Sequence, residues 1–251
     1  MGALKGIVHS ALRRAGYRIV RIEPEERSSY GAGLGAFFSM LKGHGFAPAQ
    51  VMDVGANRGR WTREAIRFFP EASYTLVEPQ DNLKSHVQDL MSQGYKIRWV
   101  NAGAGDKAGK LRFTVAQRDD SSTFVLTEDE AQRAGMQQVT VEVKTLNEVA
   151  AEAGAGTPDM VKIDAEGFDL KVLAGATELF GKTDIFLVEA CVCSPCENKL
   201  LEVVKRMADA GYRLIDITDL NRSPKHGVLW LCELAFLRNG SRLLEGMTSY
   251  E

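Results

Sequence analysis

From residue 50 onward, short apolar runs alternate with longer segments in which apolar residues recur at helical spacing. Strands that alternate with helices of this length form βαβ units, whose strands lie parallel in one covered sheet. A chain of 251 residues is long enough for one such domain with a short appendage. We therefore predict an α/β fold with a mainly parallel, seven-stranded sheet. The parallel strands are expected within residues 50–56, 73–79, 95–105, 159–167, 184–192 and 212–220.

The last apolar run, at residues 228–237, breaks this alternation because no helix separates it from the preceding strand. A strand that returns after a short loop pairs antiparallel with its predecessor, so we expect it beside the strand around Leu214. Two further runs, at residues 110–116 and 137–146, interrupt the order between the third and fourth parallel strands. We predict that they form an inserted β pair.

The residues before this pattern are predicted to form an extension, residues 1–45, ahead of the main domain at residues 46–251. Apolar residues at helical spacing predict a helix over residues 3–15. This helix would pack on the domain, form a dimer contact or lie on a membrane surface. The glycine-rich stretch from Gly31 to Gly45 predicts a flexible segment that leads into the domain or covers its site.

Charge and composition limit the classes of partner. The formal net charge is −2, which provides no basic field for a nucleic acid or an anionic membrane. No apolar run approaches the ~20 residues that a membrane span needs, and the basic N-terminus lacks the apolar block of a signal peptide. We expect a cytoplasmic protein with a small or neutral partner. A homodimer is one option for its oligomeric state.

The cysteines agree with that location, because Cys191, Cys193 and Cys196 lie too close together to form a disulfide framework. Their spacing also suggests a metal site. Zinc and iron–sulfur sites need four ligands, however, and the fourth cysteine, Cys232, lies in a strand far along the chain. We therefore predict no metal bound by these cysteines.

The loop after the first strand is the first candidate binding site. Ligands of open α/β sheets bind where the parallel strands end, and two glycines in this loop allow a tight turn and a close approach to the main chain. The Gly-x-Gly-x-x-Gly pattern of dinucleotide-binding loops is missing. The loop therefore favours a nucleoside without a pyrophosphate. Its candidate residues are Asp53, Gly55, Asn57 and Gly59.

Glu78 follows the second strand and is the next candidate. A carboxylate at this place accepts hydrogen bonds from both ribose hydroxyls in dinucleotide-binding folds. The alternative is that Glu78 only caps the next helix or is solvated. Together with the glycine loop, its position favours a nucleoside site.

These blocks, in this order and spacing, resemble the FkbM family of S-adenosylmethionine-dependent methyltransferases over about residues 50–190. The resemblance implies a Rossmann-like class I methyltransferase fold, S-adenosylmethionine as cofactor, and methyl transfer to an oxygen of a sugar, glycan or natural product. Two positions depart from the family's usual pattern, with Asn147 in place of Asp and Asp169 in place of Glu. The matching blocks are Asp53-Val54-Gly55-Ala56-Asn57-x-Gly59, Glu78-Pro79, Lys162-Ile163-Asp164-Ala165-Glu166-Gly167 and Leu173-Ala174-Gly175-Ala176.

The resemblance also implies roles for single residues in cofactor binding. Glu78 would hold the ribose, and Asn101 would approach the adenine. Asp106 would reach the adenine amino group, although Gly105-Asp106-Lys107 is equally typical of a turn. Residues beside the methionine part and its adjoining turn would be Asp53, Gly55, Asn57 and Gly59.

Methyl transfer to an alcohol needs alignment of the two reactants and removal of the hydroxyl proton. The candidate catalytic residues are three carboxylates at adjacent strand ends, Asp164, Glu166 and Glu189, and one loop histidine, His226. The carboxylates suit a general base or a Mg²⁺ site, and we favour direct action without a metal. Glu166 is equally suited to turn formation before Gly167, and a histidine has a pKa suited to proton transfer.

Two other functions remain open at this point. One is a nicotinamide-dependent reductase, which the missing Gly-x-Gly disfavours. The other is a non-catalytic adenosyl-binding partner domain, which the retained Asp53, Glu78 and Asp164 disfavour.

Overall fold

A mainly parallel sheet runs through the middle of the protein. A computed structural model describes residues 32–116, 122–154, 156–193, 196 and 198–245. The strands in this part of the chain are β1 (Gln50–Val54), β2 (Ser73–Val77), β3 (Lys96–Val100), β4 (Gly103–Ala104), β5 (Gly109–Val115), β6 (Gln137–Lys144), β7 (Met160–Ile163), β8 (Ile185–Cys191), β9 (Tyr212–Arg222) and β10 (Leu229–Arg238). Seven of them form the central sheet, in the spatial order β3-β2-β1-β7-β8-β10-β9.

The pairing directions confirm the predicted topology. The neighbours from β3 to β8 are all parallel, whereas β10 is antiparallel to both β8 and β9. Phe236 of β10 lies opposite Leu214 of β9, as expected for a last strand that returns beside its predecessor. The inner strands β1, β2 and β7 are buried on both faces because helices cover both sides.

Helices form a layer on each face of the sheet. They are α1 (Ala32–Gly43), α2 (Arg60–Phe68), α3 (Gln88–Ser92), α4 (Glu128–Arg133), α5 (Leu146–Ala153), α6 (Asp169–Ala174) and α7 (Leu200–Asp209), with 3-10 turns at Asp81–Val87 and Arg242–Leu244. One core packs under α1, α2 and α3, and the other packs under α5, α6 and α7. In the described ranges, none of the helices has the length and apolar character of a membrane span.

The flexible segment predicted from Gly31 to Gly45 is wrong for most of its length, because α1 occupies residues 32–43. Its apolar side chains recur at helical spacing and are almost fully buried: Leu34, Phe37, Phe38 and Leu41. A Cβ on Gly33 would lie 2.5 Å from the backbone oxygen of Thr218. The glycine therefore allows close packing of α1 on β9, and apolar burial outweighs its low helix propensity. The helix predicted over residues 3–15 lies outside the described residues.

The inserted β pair is present as β5 and β6, which are antiparallel. β4 adds a short third strand, parallel to β6, that the sequence pattern did not predict. The ring of Phe124, in the segment after β5, lies 4.8 Å from the ring of Phe113 and 5.3 Å from that of Phe168. The insertion thereby packs against the segment that follows β7.

A disulfide joins Cys191 and Cys196, whose Cα atoms are 6.4 Å apart. The prediction that Cys191, Cys193 and Cys196 lie too close together to form a disulfide framework is therefore wrong for the first and last of them. Although the two cysteines are five positions apart in the sequence, their Cα atoms lie within the separation usual for disulfides. Cys193 is an exposed thiol and Cys232 is a buried one. The cysteines thus give no support to the expected cytoplasmic location.

Candidate active site

A cavity of about 490 Å³ opens where the parallel strands β1, β2, β7 and β8 end. Ligands of open α/β sheets bind at this edge, and the volume suits a small molecule. Of the residues proposed from the sequence, the lining includes Gly55, Asn57, Glu78, Asp164, Glu166 and Glu189. The lining does not include Asp53, Gly59, Asn101, Asp106 or His226.

The cavity has two sides with different chemistry. We call Gly55, Asn57 and Glu78 the glycine-loop side, because they follow β1 and β2. The acidic side consists of Asp164, Glu166 and Glu189, at the ends of β7 and β8.

Gly55 is required by the packing of two backbones. Its φ is +72°, and a Cβ built on it would lie 1.8 Å from the backbone oxygen of Asp164. Gly59 also has a positive φ, and its Cβ would lie 2.6 Å from Cγ1 of Val87. Both glycines therefore allow close contacts between segments of the chain, in addition to the tight turn and the ligand approach predicted from the sequence. Gly55 brings the glycine-loop side directly against the acidic side.

Glu78 is 3% exposed, and its carboxylate is fixed by backbone amides. Its Oε2 accepts a hydrogen bond from the N–H of Asn57 at 2.9 Å, and its Oε1 accepts one from the N–H of Gln80 at 2.9 Å. Burial raises the pKa of Glu78, and the two amides oppose that rise because they favour the charged form. A carboxylate can accept about four hydrogen bonds, so Glu78 retains capacity for a ligand.

Asn101 and Asp106 do not reach the cavity. The side-chain amide of Asn101 donates to the backbone oxygens of Glu78 and Pro79, at 3.2 and 3.0 Å. Asp106 is 3.9 Å from the ammonium of Lys171. The wall beside them is formed instead by Ala102, Gly103 and Ala104. The predicted direct contacts of Asn101 and Asp106 with an adenine therefore have no support in their positions.

Lys162 is the charged residue that the sequence analysis missed. It is 2% exposed, and its Nζ lies 3.4 Å from Oδ1 of Asp53 and 3.3 Å from Oδ2 of Asp164. Lys162 and Asp53 are register partners on β7 and β1. Asp53 is fully buried and also accepts a hydrogen bond from the Thr62 hydroxyl. A lysine inside an apolar parallel strand needs a buried carboxylate as its partner, so the position of Lys162 in the sequence was a sign of such a pair.

Charge is crowded on the acidic side. Burial raises the pKa of Glu189 well above its usual value, and Asp164, Asp169 and Glu166 raise it further by repulsion. The ammonium of Lys162 opposes the rise. One cation, the ammonium of Lys162, therefore faces several carboxylates on this side of the cavity.

Asp169 fixes the turn that carries two of these carboxylates. It is fully buried, and it accepts hydrogen bonds from the N–H groups of Ala165 at 2.9 Å and Gly167 at 3.2 Å. The turn contains Glu166 at φ +49°, a conformation that L-residues rarely adopt. Burial, and then repulsion from Asp164, raise the pKa of Asp169 to about 7. The sequence analysis had treated this residue only as a departure from a family pattern.

The outer wall of the cavity was also missed. It includes three aromatic residues, two polar residues of β9 and two arginines near the glycine loop: Phe113, Phe124, Trp230, Asp219, Asn221, Arg58 and Arg60. These residues lie on the insertion, the last hairpin and the first loop, which meet only in the folded chain.

His226 lies in the turn between β9 and β10, and its N–H donates to the hydroxyl oxygen of Ser223. Its side chain is exposed and does not line the cavity. Within the described residues, no group of three or more His, Cys, Asp or Glu side chains is arranged to hold a metal ion.

Residues 53–214 match the family described as the methyltransferase FkbM domain, over more than half of the chain. The chain belongs to the FkbM methyltransferase family. The match covers the glycine loop, Glu78 and the acidic side, and it confirms the resemblance seen in the sequence. One FkbM-specific departure also has an explanation: Asn147 donates to the hydroxyl of Thr177 and accepts from the N–H of Glu178. An ionised aspartate could not make the donated bond.

A curated protein similar to this FkbM chain is the 2-O-methyltransferase NoeI of Sinorhizobium fredii (strain NBRC 101917 / NGR234). The two are 23% identical over 150 residues, which cover 55% of this chain and 62% of NoeI. The chain therefore spans less than two thirds of the length of this relative.

Solved structures with a similar backbone include two methyltransferases. Magnesium protoporphyrin IX methyltransferase (ChlM) of Synechocystis PCC 6803, with bound SAM, has a TM-score of 0.48 and 10% identity, over 94% of this chain and 97% of that chain. The Burkholderia thailandensis 1,6-didemethyltoxoflavin-N1-methyltransferase has a TM-score of 0.45 and 14% identity, over 94% and 87% of the two chains. Both scores are below 0.5, so the assignment to the FkbM family depends on residues 53–214.

Proposed function

We propose that this FkbM chain transfers the methyl group of S-adenosylmethionine to a hydroxyl group of a sugar, glycan or natural product. The observation that carries the proposal is one cavity with both a fixed ribose acceptor, Glu78, and a group of carboxylates around Asp164. Transfer of a methyl group to a hydroxyl needs a site for the cofactor and, beside it, a group that takes the hydroxyl proton.

The glycine-loop side suits the nucleoside. Glu78 offers a fixed carboxylate to the ribose hydroxyls, and the small residues from Ala102 to Ala104 leave space beside it for a flat base. Asp53, Gly59 and Asn101 act indirectly in this proposal, because they hold the strand ends and the turn. S-adenosylmethionine supplies a methyl group on a sulfonium cation. The arginines Arg58 and Arg60 would face its carboxylate, since both line the cavity.

The acidic side suits the reaction. A cluster of carboxylates stabilises a cationic sulfonium nearby by simple electrostatics. Asp164 is 26% exposed and lies at the cavity, so it is the group that takes the proton from the attacking hydroxyl. The ammonium of Lys162, 3.3 Å from Oδ2 of Asp164, offsets part of the negative charge of this carboxylate. Glu166 and Glu189 are the alternative bases, and His226 is disfavoured because it lies outside the lining.

The acceptor would bind against the outer wall. Trp230 and Phe124 offer flat apolar surface, and Asp219 and Asn221 offer hydrogen-bonding groups to hydroxyls. The name of NoeI, a 2-O-methyltransferase, favours oxygen as the methylated atom. A hydroxylated ring compound matches this combination best.

A labelled-methyl assay tests this function. S-adenosylmethionine with a radioactive methyl group is incubated with the protein and panels of hydroxylated sugars, glycolipids and polyketides. We expect label in at least one acceptor, and a thermal shift with S-adenosylmethionine but not with NADH. A shift with NADH alone would point to a reductase. Cofactor binding without transfer to any acceptor would point to a non-catalytic partner domain.

Metal dependence is tested in the same assay. The favoured mechanism, direct action of Asp164, predicts that EDTA leaves the rate unchanged. Loss of activity that Mg²⁺ restores would instead assign the carboxylates to a metal.

A further inference from the structure

A chain of contacts connects the cavity to the disulfide. It begins at the acidic turn, which we define as residues 164–167. Asp169 accepts hydrogen bonds from two backbone amides of this turn, those of Ala165 and Gly167. The conformation of the turn, and with it the direction of Asp164 and Glu166, therefore depends on where Asp169 is held.

Asn198 holds Asp169 from the other side. Its side-chain amide nitrogen donates to Oδ2 of Asp169 at 2.9 Å and to the backbone oxygen of Glu189 at 2.5 Å. Asn198 is fully buried. One side chain thus joins the segment after β8 to both strands that carry the acidic side.

The disulfide in turn holds the segment that carries Asn198. The N–H of Cys191 donates to the backbone oxygen of Asn198 at 2.8 Å. Cys196, the disulfide partner of Cys191, stands only two positions before Asn198 in the sequence. A Cβ built on Gly167 would lie 3.9 Å from the Cβ of Cys196. The disulfide therefore lies directly against the acidic turn.

We infer that the Cys191–Cys196 disulfide and Asn198 are positioning residues for methyl transfer, and that reduction of the disulfide slows the reaction by loosening the acidic turn. The inference rests on the proposed function. A dithiol carries out the reduction: it gives two electrons and two protons, the S–S bond breaks, two thiols form, and the dithiol becomes a disulfide. The amides of Asn57 and Gln80 bond to Glu78 and not to Asp169 or Asn198, so we expect them to keep their geometry.

The other two cysteines provide controls. Burial raises the pKa of the Cys232 thiol to about 11, so it remains protonated and unreactive. Cys193 is exposed but is not bonded. A Cys193→Ser variant therefore removes the accessible thiol without touching the disulfide.

Hydrogen exchange tests the positioning without requiring any activity. Oxidised and dithiothreitol-treated protein are compared, with thiol counting to confirm reduction. We expect the amides of Ala165 and Gly167 to exchange at least tenfold faster after reduction, because their acceptor is no longer held. The amides of Asn57 and Gln80, which are bonded to Glu78, should change less than twofold. Unchanged exchange at Ala165 in fully reduced protein overturns the inference.

Variants separate the disulfide from general effects of the reductant. The Cys191→Ser/Cys196→Ser double variant should exchange fast with or without dithiothreitol, and Cys193→Ser should behave as the wild type. Asn198→Asp keeps the shape but loses the donor to Asp169, so it should loosen Ala165 with the disulfide intact. A reductant effect of equal size in the double variant contradicts the inference.

Kinetics then connect the turn to the reaction. Reduction should lower kcat at least tenfold while KM for S-adenosylmethionine changes less than threefold. Faster exchange with unchanged kcat would overturn the positioning role. If no acceptor is methylated in either redox state, the proposed function fails, while the exchange experiment still decides whether the disulfide holds the turn.

Discussion

The two sides of the cavity bury negative charge in different ways. On the glycine-loop side, the single carboxylate of Glu78 is fixed by two backbone amides. On the acidic side, Asp164 and its neighbours share the one ammonium of Lys162. Backbone amides do not titrate near neutral pH, so the first arrangement suits recognition of a ligand. The crowded carboxylates of the acidic side have raised pKa values, and such perturbed pKa values are common where protons are transferred.

The largest expected effect separates the two sides by a single substitution. Asp164→Asn keeps the shape of the side chain but removes the proposed base, so kcat should fall by about 10²–10⁴. Binding of S-adenosylmethionine, measured by calorimetry, should change much less, because Glu78 is untouched. Glu71→Gln, at an exposed position, is the matched control. A variant with wild-type turnover would move the base to Glu189 or Glu166.

A second substitution tests the close contact between Gly55 and the backbone of Asp164, which joins the two sides of the cavity. Gly55→Ala would place a Cβ against the backbone oxygen of Asp164, so we expect a loss of about 3–5 kcal/mol in the free energy of unfolding. Gly45→Ala is the control, because Gly45 also has a positive φ, +82°, but nothing within 4 Å of its Cβ. It should cost only about 1–2 kcal/mol. If urea denaturation shows the same loss of unfolding free energy for Gly55→Ala and Gly45→Ala, the contact between Gly55 and Asp164 is not tight.

Glu233, next to the acidic side, predicts a pH dependence of stability. Glu233 lies opposite Glu189 on the neighbouring strand, and burial raises its pKa from 4.5 to about 7. Between these values the folded protein binds a proton that the unfolded chain does not. The stabilisation is complete below about pH 4.5 and is lost as the pH rises to about 7.

Glu233→Gln tests this. The neutral glutamine side chain can still accept a hydrogen bond from the Thr218 hydroxyl. Because glutamine does not titrate, the substitution should remove a pH dependence of about 1.4 kcal/mol per pH unit from the free energy of unfolding. Urea denaturation between pH 5 and pH 7 measures the slope, with Glu71→Gln as control. A slope equal to that of the wild type would contradict the raised pKa of Glu233.

The sequence predicted the elements that depend on local pattern. Apolar runs separated by helical segments predicted the succession of strands and helices, the mainly parallel sheet and the antiparallel last strand. The glycine spacing with Glu78 predicted one side of the cavity. α1 was missed because its glycines were taken as signs of flexibility, whereas Gly33 serves its packing on Thr218.

Features that depend on register or on distant segments could not be predicted. The Lys162–Asp53 pair depends on the register between β7 and β1, which no local sequence pattern predicts. Asn101 was placed at the adenine, but the chain turns after it, so that Ala102 to Ala104 form the wall. Trp230 and Phe124 meet at the cavity from segments far apart in the chain.

Calorimetry measures whether the glycine-loop side binds S-adenosylmethionine through Glu78. Glu78→Gln is a milder change than Glu78→Ala, because glutamine keeps one oxygen for the amide of Asn57 or Gln80, whereas alanine leaves both amides without an acceptor. Loss of the charge-assisted bonds to ribose costs about 1.5–3 kcal/mol, so affinity should fall at least tenfold in a folded variant. An affinity equal to the wild type, or no binding of S-adenosylmethionine by the wild type itself, would contradict the account.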